Sequence, residues 1–165
     1  MAITRVKKES IIAAVTDALS KSASAVFVSF TKLTVSEVNG LRAELKKDAV
    51  KYTVVKKTLL KRALDSQGIE GDMPDMPGEV ALVYLKEGDD ITAPARGLAT
   101  FVKKMKGKIA YLGGVINKKY LSQLEIVGVS MIPPTLVLRG MFVNIINSPI
   151  QRFAIAMSGV AKTKA

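Results

Sequence analysis

The chain has 165 residues, 48% of them apolar, with 25 basic against 14 acidic side chains and a net charge of +11. That is enough apolar content for one folded domain with an appendage, and too much for a disordered chain. The absence of cysteine and histidine excludes a disulfide framework, a thiolate or imidazole zinc site and any Cys–His or Ser–His nucleophile, and it fits a reducing cytosol.

Ile3 to Leu19 reads as an amphipathic helix whose stripe is Ile11, Ile12, Val15 and Leu19. Its basic start resembles a signal peptide only superficially, because Asp17 and Lys21 interrupt the segment that should be apolar. Ala25 to Phe30 is the first strand, rich in branched and aromatic residues. Thr34 and Glu37 have the spacing of a capping box and start a second helix through Val38, Leu41 and Leu45, with Arg42, Lys46 and Lys47 on its wet side. Val50 to Val55 alternates as a strand. It runs straight into a helix over Thr58 to Ser66, in which Leu59, Leu60, Ala63 and Leu64 oppose Lys57, Lys61 and Arg62.

A glycine- and proline-rich loop follows, from Gly68 to Gly78. Its acids Glu70, Asp72 and Asp75 fit no metal-ligand spacing and read as solvated charges. Val80 to Leu85 is a third strand. Pro94 suits the first turn of a helix carrying Leu98, Phe101, Val102 and Met105, which closes on Lys103, Lys104 and Lys106. Ile109 to Ile116 is a fourth strand, whose Gly113-Gly114 reads as a bulge or close approach and not as a phosphate cradle. A short helix is expected over Lys118 to Ile126, another over Leu136 to Ile146, and a last one over Ile150 to Ala161 after a break at Pro149. There Ile150, Phe153, Met157 and Val160 recur on one side. From pattern alone, this order of elements suggests one helix-covered sheet, parallel or mixed.

The charge is uneven along the chain. Residues 1–66 hold 13 basic and 6 acidic side chains, residues 67–132 eight of each, and residues 133–165 four basic and none acidic. Lys56, Lys57, Lys61 and Arg62, placed where a strand meets a helix, make a surface suited to phosphates. Arg5, Lys7, Lys8 and Lys32 join them as candidates by charge and by lying near element ends. The 5% aromatic content and the absence of tryptophan argue against a stacking platform for single-stranded nucleic acid.

Several motifs together carry a resemblance: Lys8 with Ile11-Ile12, Lys32-Leu33-Thr34-Val35, Leu41-Arg42, Val54-Val55-Lys56-Lys57-Thr58-Leu59-Leu60, Gly113-Gly114 and Asn147-Ser148-Pro149-Ile150. In this order, over nearly the whole chain, the sequence resembles the bacterial large-subunit ribosomal protein ten family, the base of the ribosomal stalk. An Asn is usual in that family where this chain has Lys57, a change that adds a charge phosphate tolerates.

The resemblance implies an α+β fold: a ferredoxin-like two-layer domain with a mostly antiparallel four-stranded sheet, over residues 1–132, followed by a C-terminal helical arm over 133–165. It implies a non-catalytic, cytoplasmic protein. Such a protein binds large-subunit ribosomal RNA beside a neighbouring ribosomal protein, and anchors dimers of the acidic stalk protein that recruit translation GTPases. Lys56, Thr58 and Arg62 carry over as RNA-facing, and Ile150, Phe153, Met157 and Val160 as the stalk-dimer face, with room for about two dimers by helix length. No cofactor, metal, small-molecule substrate or membrane is implied. The competing expectations are a basic peripheral membrane-binding or partner-helix-binding protein, and an enzyme built on carboxylates such as Asp89 and Asp90.

Overall fold

The computed structural model describes residues 4–86, 90–105 and 107–164. It divides into two compact units, one running to Ile132 and the other starting at Pro133. The first unit contains α1 (Arg5–Lys21), β1 (Ser24–Phe30), α2 (Val35–Lys47), β2 (Val50–Val55), α3 (Lys57–Asp65) and β3 (Val80–Leu85). It continues with α4 (Ala93–Lys104), β4 (Ile109–Ile116), β5 (Lys119–Leu121) and α5 (Gln123–Ser130).

The strands form one sheet in the order β2-β3-β1-β4-β5, with every strand pairing antiparallel. The mostly antiparallel sheet that the resemblance implies is therefore present, and the parallel or mixed sheet suggested by alternating elements alone is corrected. The first four strands have the ferredoxin-like order. Two of the three pairings among them, β1 with β3 and β1 with β4, join strands that are not consecutive in the chain, so alternation of strands and helices could not reveal the direction.

Strand alternation explains how the sheet is covered. On β1, Val26 and Val28 face a core with Leu41 and Leu45 of α2, Leu98 and Phe101 of α4 and Ile126 of α5. Ala25 and Phe27 face a second core with Val15 of α1 and Leu59, Leu60, Ala63 and Leu64 of α3. The two-layer expectation is thereby extended by a third layer, because β1 is apolar on both faces and each face needs a cover. The loop between α3 and β3 is pinned: Met76 is buried in the second core, and Tyr120 donates its amide to the Glu70 carbonyl at 2.9 Å.

The sheet has five strands where four were expected, and the short helix proposed from Lys118 begins later. Asn117 (φ 51°) and Lys118 (φ 62°) both adopt left-handed backbone, which makes a two-residue turn joining β4 to β5 with Ile116 opposite Lys119. Asn-Lys lacks the glycine that normally marks such a turn. The helix waits for Ser122, whose hydroxyl accepts from the Glu125 amide while the Glu125 carboxylate accepts from the Ser122 amide at 2.7 Å.

Gly113 and Gly114 sit beside a register shift in the β1–β4 pairing. A Cβ on Gly114 would lie 2.7 Å from the Ala25 carbonyl oxygen and 2.8 Å from Ile126 Cδ1, so the sheet and α5 close on bare backbone there.

The second unit is α6 (Thr135–Lys164), one 30-residue helix with Pro149 inside it. The break expected at Pro149 does not occur. An interior proline removes one hydrogen bond, to the Ile145 carbonyl, at a cost of about 3 kcal/mol; long apolar helical stretches on both sides carry the helix through. Among the described residues, no single helix is long and apolar enough to cross a membrane.

Candidate nucleic-acid interface

Register places the basic candidates. Val55 of β2 pairs with Val80 of β3, Val80 with Ser29 of β1, and Phe30 with Ile109 of β4. The C-terminal ends of β1 and β2 therefore share one edge of the sheet. Lys32 follows the first and Lys56-Lys57-Thr58 the second, so residues 24 apart in sequence come to the same edge. Lys32 adopts left-handed backbone (φ 51°), in a turn held by the Thr31 amide donating to the Lys108 carbonyl at 2.9 Å.

Lys56 is the residue before α3, and its carbonyl accepts the amides of Leu59 and Leu60 at 2.9 and 3.0 Å. The positive end of the helix dipole thus points to this edge, beside two lysine side chains. Lys56, Lys57 and Thr58 line a concavity of about 390 Å³ with Phe30, Val54 and Glu79. On α3, Lys57, Thr58, Lys61 and Arg62 are exposed while Leu59, Leu60, Ala63 and Leu64 are buried, as the sequence periodicity predicts.

The last turns of α1 lie at the opposite edge, beside Tyr84 and Lys86. Gln67, just past α3, donates its side-chain amide to the Thr16 carbonyl at 3.2 Å. The two helices hence run in the same direction, and the exposed Lys7 and Lys8 in the first turns of α1 lie toward the end that holds Lys56. The Arg5 side chain lies outside the described residues.

A feature that sequence reading missed stiffens this edge. Lys108 Nζ donates to Glu37 Oε1 at 2.6 Å, and the same carboxylate closes the capping box of α2 by accepting from the Thr34 amide at 2.8 Å. The Lys108 hydrogen bond, followed by the Thr34 amide and hydroxyl, lowers the Glu37 pKa from 4.5 to about 2. A lowered carboxylate pKa contributes stability above about pH 4.5 that is lost as pH falls toward 2. Acid titration followed by circular dichroism is therefore expected to show an unfolding step between those values that is shallower in Glu37→Gln than in the natural chain.

Of the two carboxylates considered for catalysis, Asp89 lies outside the described residues and Asp90 alone falls among them. Asp90 accepts from the Thr92 hydroxyl at 2.7 Å and bonds Arg96 at 2.8 Å; burial raises its pKa, but these hydrogen bonds outweigh it and leave it lowered. It serves to fix the start of α4. Among the described residues, no group of three or more Asp or Glu could hold a metal ion.

In the second unit, Ile150, Phe153, Met157 and Val160 are exposed by 70, 69, 58 and 52%. Apolar exposure on α6 is wider than this stripe, since Leu136, Met141, Phe142, Ile145, Ile146 and Ile155 are exposed as well. The assumed break at Pro149 had hidden that one continuous helix carries them all.

A family model for ribosomal protein L10 matches residues 3–103. Over 158 residues the chain is 34% identical to the large ribosomal subunit protein uL10 of Lactobacillus johnsonii, covering 96% of this chain and 95% of that one. It is 31% identical to the protein of the same name from Dehalococcoides mccartyi, at 96% and 89% coverage, and 31% identical to that from Staphylococcus carnosus, at 95% and 93%.

Proposed function

The chain belongs to the ribosomal protein L10 family, and on that premise we propose that it is a non-catalytic structural protein of the large ribosomal subunit, working in the cytoplasm. The first unit binds large-subunit ribosomal RNA through Lys32, Lys56, Lys57, Thr58, Lys61 and Arg62, with Arg5, Lys7 and Lys8 adding charge. A neighbouring ribosomal protein binds the same RNA beside it. The second unit anchors dimers of an acidic stalk protein on the face of Ile150, Phe153, Met157 and Val160, and those dimers recruit translation GTPases.

The observation that carries the RNA reading is the convergence of Lys32 with Lys56 and Lys57 on one sheet edge, at the positive end of α3. The lysines of such a surface displace condensed counterions from RNA phosphates into solution, so affinity falls steeply with salt. The helix start offers backbone amides to the same oxygens. The stalk reading is supported by the apolar exposure of α6, which carries four basic side chains and no acidic one across residues 133–165. A helix of that composition docks in an apolar groove, and its positive charge suits an acidic partner.

Replacing Lys56, Lys57 and Arg62 together with Ala tests the RNA-binding edge. Binding to bacterial large-subunit ribosomal RNA is expected to weaken, and the slope of log affinity against log salt to flatten by about one unit for each phosphate no longer engaged. A filter-binding series over several salt concentrations reads both, and an unchanged slope would reject this edge as the binding surface.

A further inference from the structure

The edge of the sheet opposite to Lys56 also carries a basic surface. Here α2 ends, the chain turns at Ala49 with left-handed backbone (φ 56°), and β2 begins. The Lys86 amide, just past β3, donates to the Ala49 carbonyl at 3.0 Å and closes the corner. Arg42, Lys46, Lys51 and Lys86 line a groove of about 650 Å³ together with Val50 and Tyr52. Among the described residues, no carboxylate lines it.

We infer that this groove is a second binding surface for RNA phosphates, separate from the edge at Lys56, so that the sheet is held by RNA at both ends of β2. Three observations converge on it. The first is charge: Arg42, Lys46 and Lys51 come from a helix and a strand to line one concave surface, where a polyanion meets several cations together and releases several counterions. Lys86 has interactions of its own and is not needed for this. The second is geometry at Arg42, whose guanidinium carbon stands 5.8 Å from the centre of the Tyr52 ring. An arginine held over a ring by its face keeps its N–H edges for phosphate oxygens, and loses less side-chain freedom on binding them. The third is spacing. From Lys51 to Lys56 the extended chain covers roughly 17 Å at about 3.3 Å per residue, far enough for the two cation sets to meet separate phosphate rows of one folded RNA.

The test compares two variants of the full chain against bacterial large-subunit ribosomal RNA, with polyglutamate as a second probe. Lys46→Ala with Lys51→Ala alters only exposed side chains; adding Arg42→Ala tests the guanidinium over the Tyr52 ring as well, and melting curves check that both variants fold. The salt slope for RNA is expected to flatten by about two units in the double variant and about three in the triple. Hydroxyl-radical footprints should show new cleavage at riboses other than those uncovered in the Lys56, Lys57, Arg62 variant. A slope unchanged in the groove variants but flattened in the Lys56 set overturns the second surface and leaves the first standing. Loss of polyglutamate binding with RNA binding intact also overturns it, in favour of an acidic protein segment. If neither set changes the slope, both surfaces fail.

Discussion

Replacing Phe153 and Met157 with Asp in the full chain is expected to abolish capture of the acidic stalk protein while leaving the melting curve of the first unit in place. Both side chains are more than half exposed on α6, at 69 and 58%, so little burial within the protein is given up. In the proposed complex each would fill an apolar groove. Removing such an anchor costs on the order of 2 kcal/mol or more, and a carboxylate in its place adds the cost of desolvating a charge. Against an acidic partner the two new negative charges also repel. Together these amount to a loss of roughly a thousandfold or more, which size-exclusion or calorimetric titration would register as no detectable complex. Retained binding would move the anchor to the other half of α6, where Leu136, Met141 and Phe142 are exposed too.

Phe27→Ala is expected to be the most damaging single change in the first unit. Phe27 sits at the middle of the central strand with none of its surface exposed, in the core shared with α1 and α3. Truncating a buried phenylalanine costs about 3–5 kcal/mol, a large part of the roughly 5–15 kcal/mol that holds a domain folded. For a domain of this size that is a drop of roughly 10 °C or more in melting temperature. The side chains that share its core come from α1, β2, α3, β3 and β4, so the cavity cannot close by moving one of them. If calorimetry found a loss below about 1 kcal/mol, the core would not be packed as described.

The two variants would separate what the sequence made legible from what it hid. The long strands were plain because Val26, Phe27 and Val28, or Val80 to Leu85, are runs that only a buried strand of that length explains. The Thr34–Glu37 capping box was legible because its two partners are three residues apart. Strand direction was not, because β1 pairs with β3 and β4 through residues more than fifty positions apart. The fifth strand was missed because its turn uses Asn and Lys as the left-handed residues. Pro149 misled because the rule that proline stops a helix states a cost, and neighbouring turns can meet it.

The proposed interfaces follow the same division. Lys56, Lys57, Lys61 and Arg62 announced themselves because they lie close together in the chain, at the start of one helix and along its exposed side. Arg42 and Lys46 read as charges on the wet side of a helix, since only the fold brings that helix end and Lys51, at the start of an edge strand, around one groove. Glu37 and Lys108 are 71 residues apart and nothing in either neighbourhood announces the other.

The central place of β1 also shapes how the molecule is born. This strand leaves the ribosome early, yet both of its neighbours, β3 and β4, are encoded much later, the second ending at Ile116. At about 5–20 residues per second, a nascent chain waits roughly 4–17 s between emergence of Phe30 and of Ile116. For that interval an apolar segment keeps at least one unpaired edge, and both until β3 is complete at Leu85, open to any passing hydrophobic surface. The growing polypeptide should therefore be a client of ribosome-associated chaperones, and slower translation through residues 80–116 should lengthen its dependence on them.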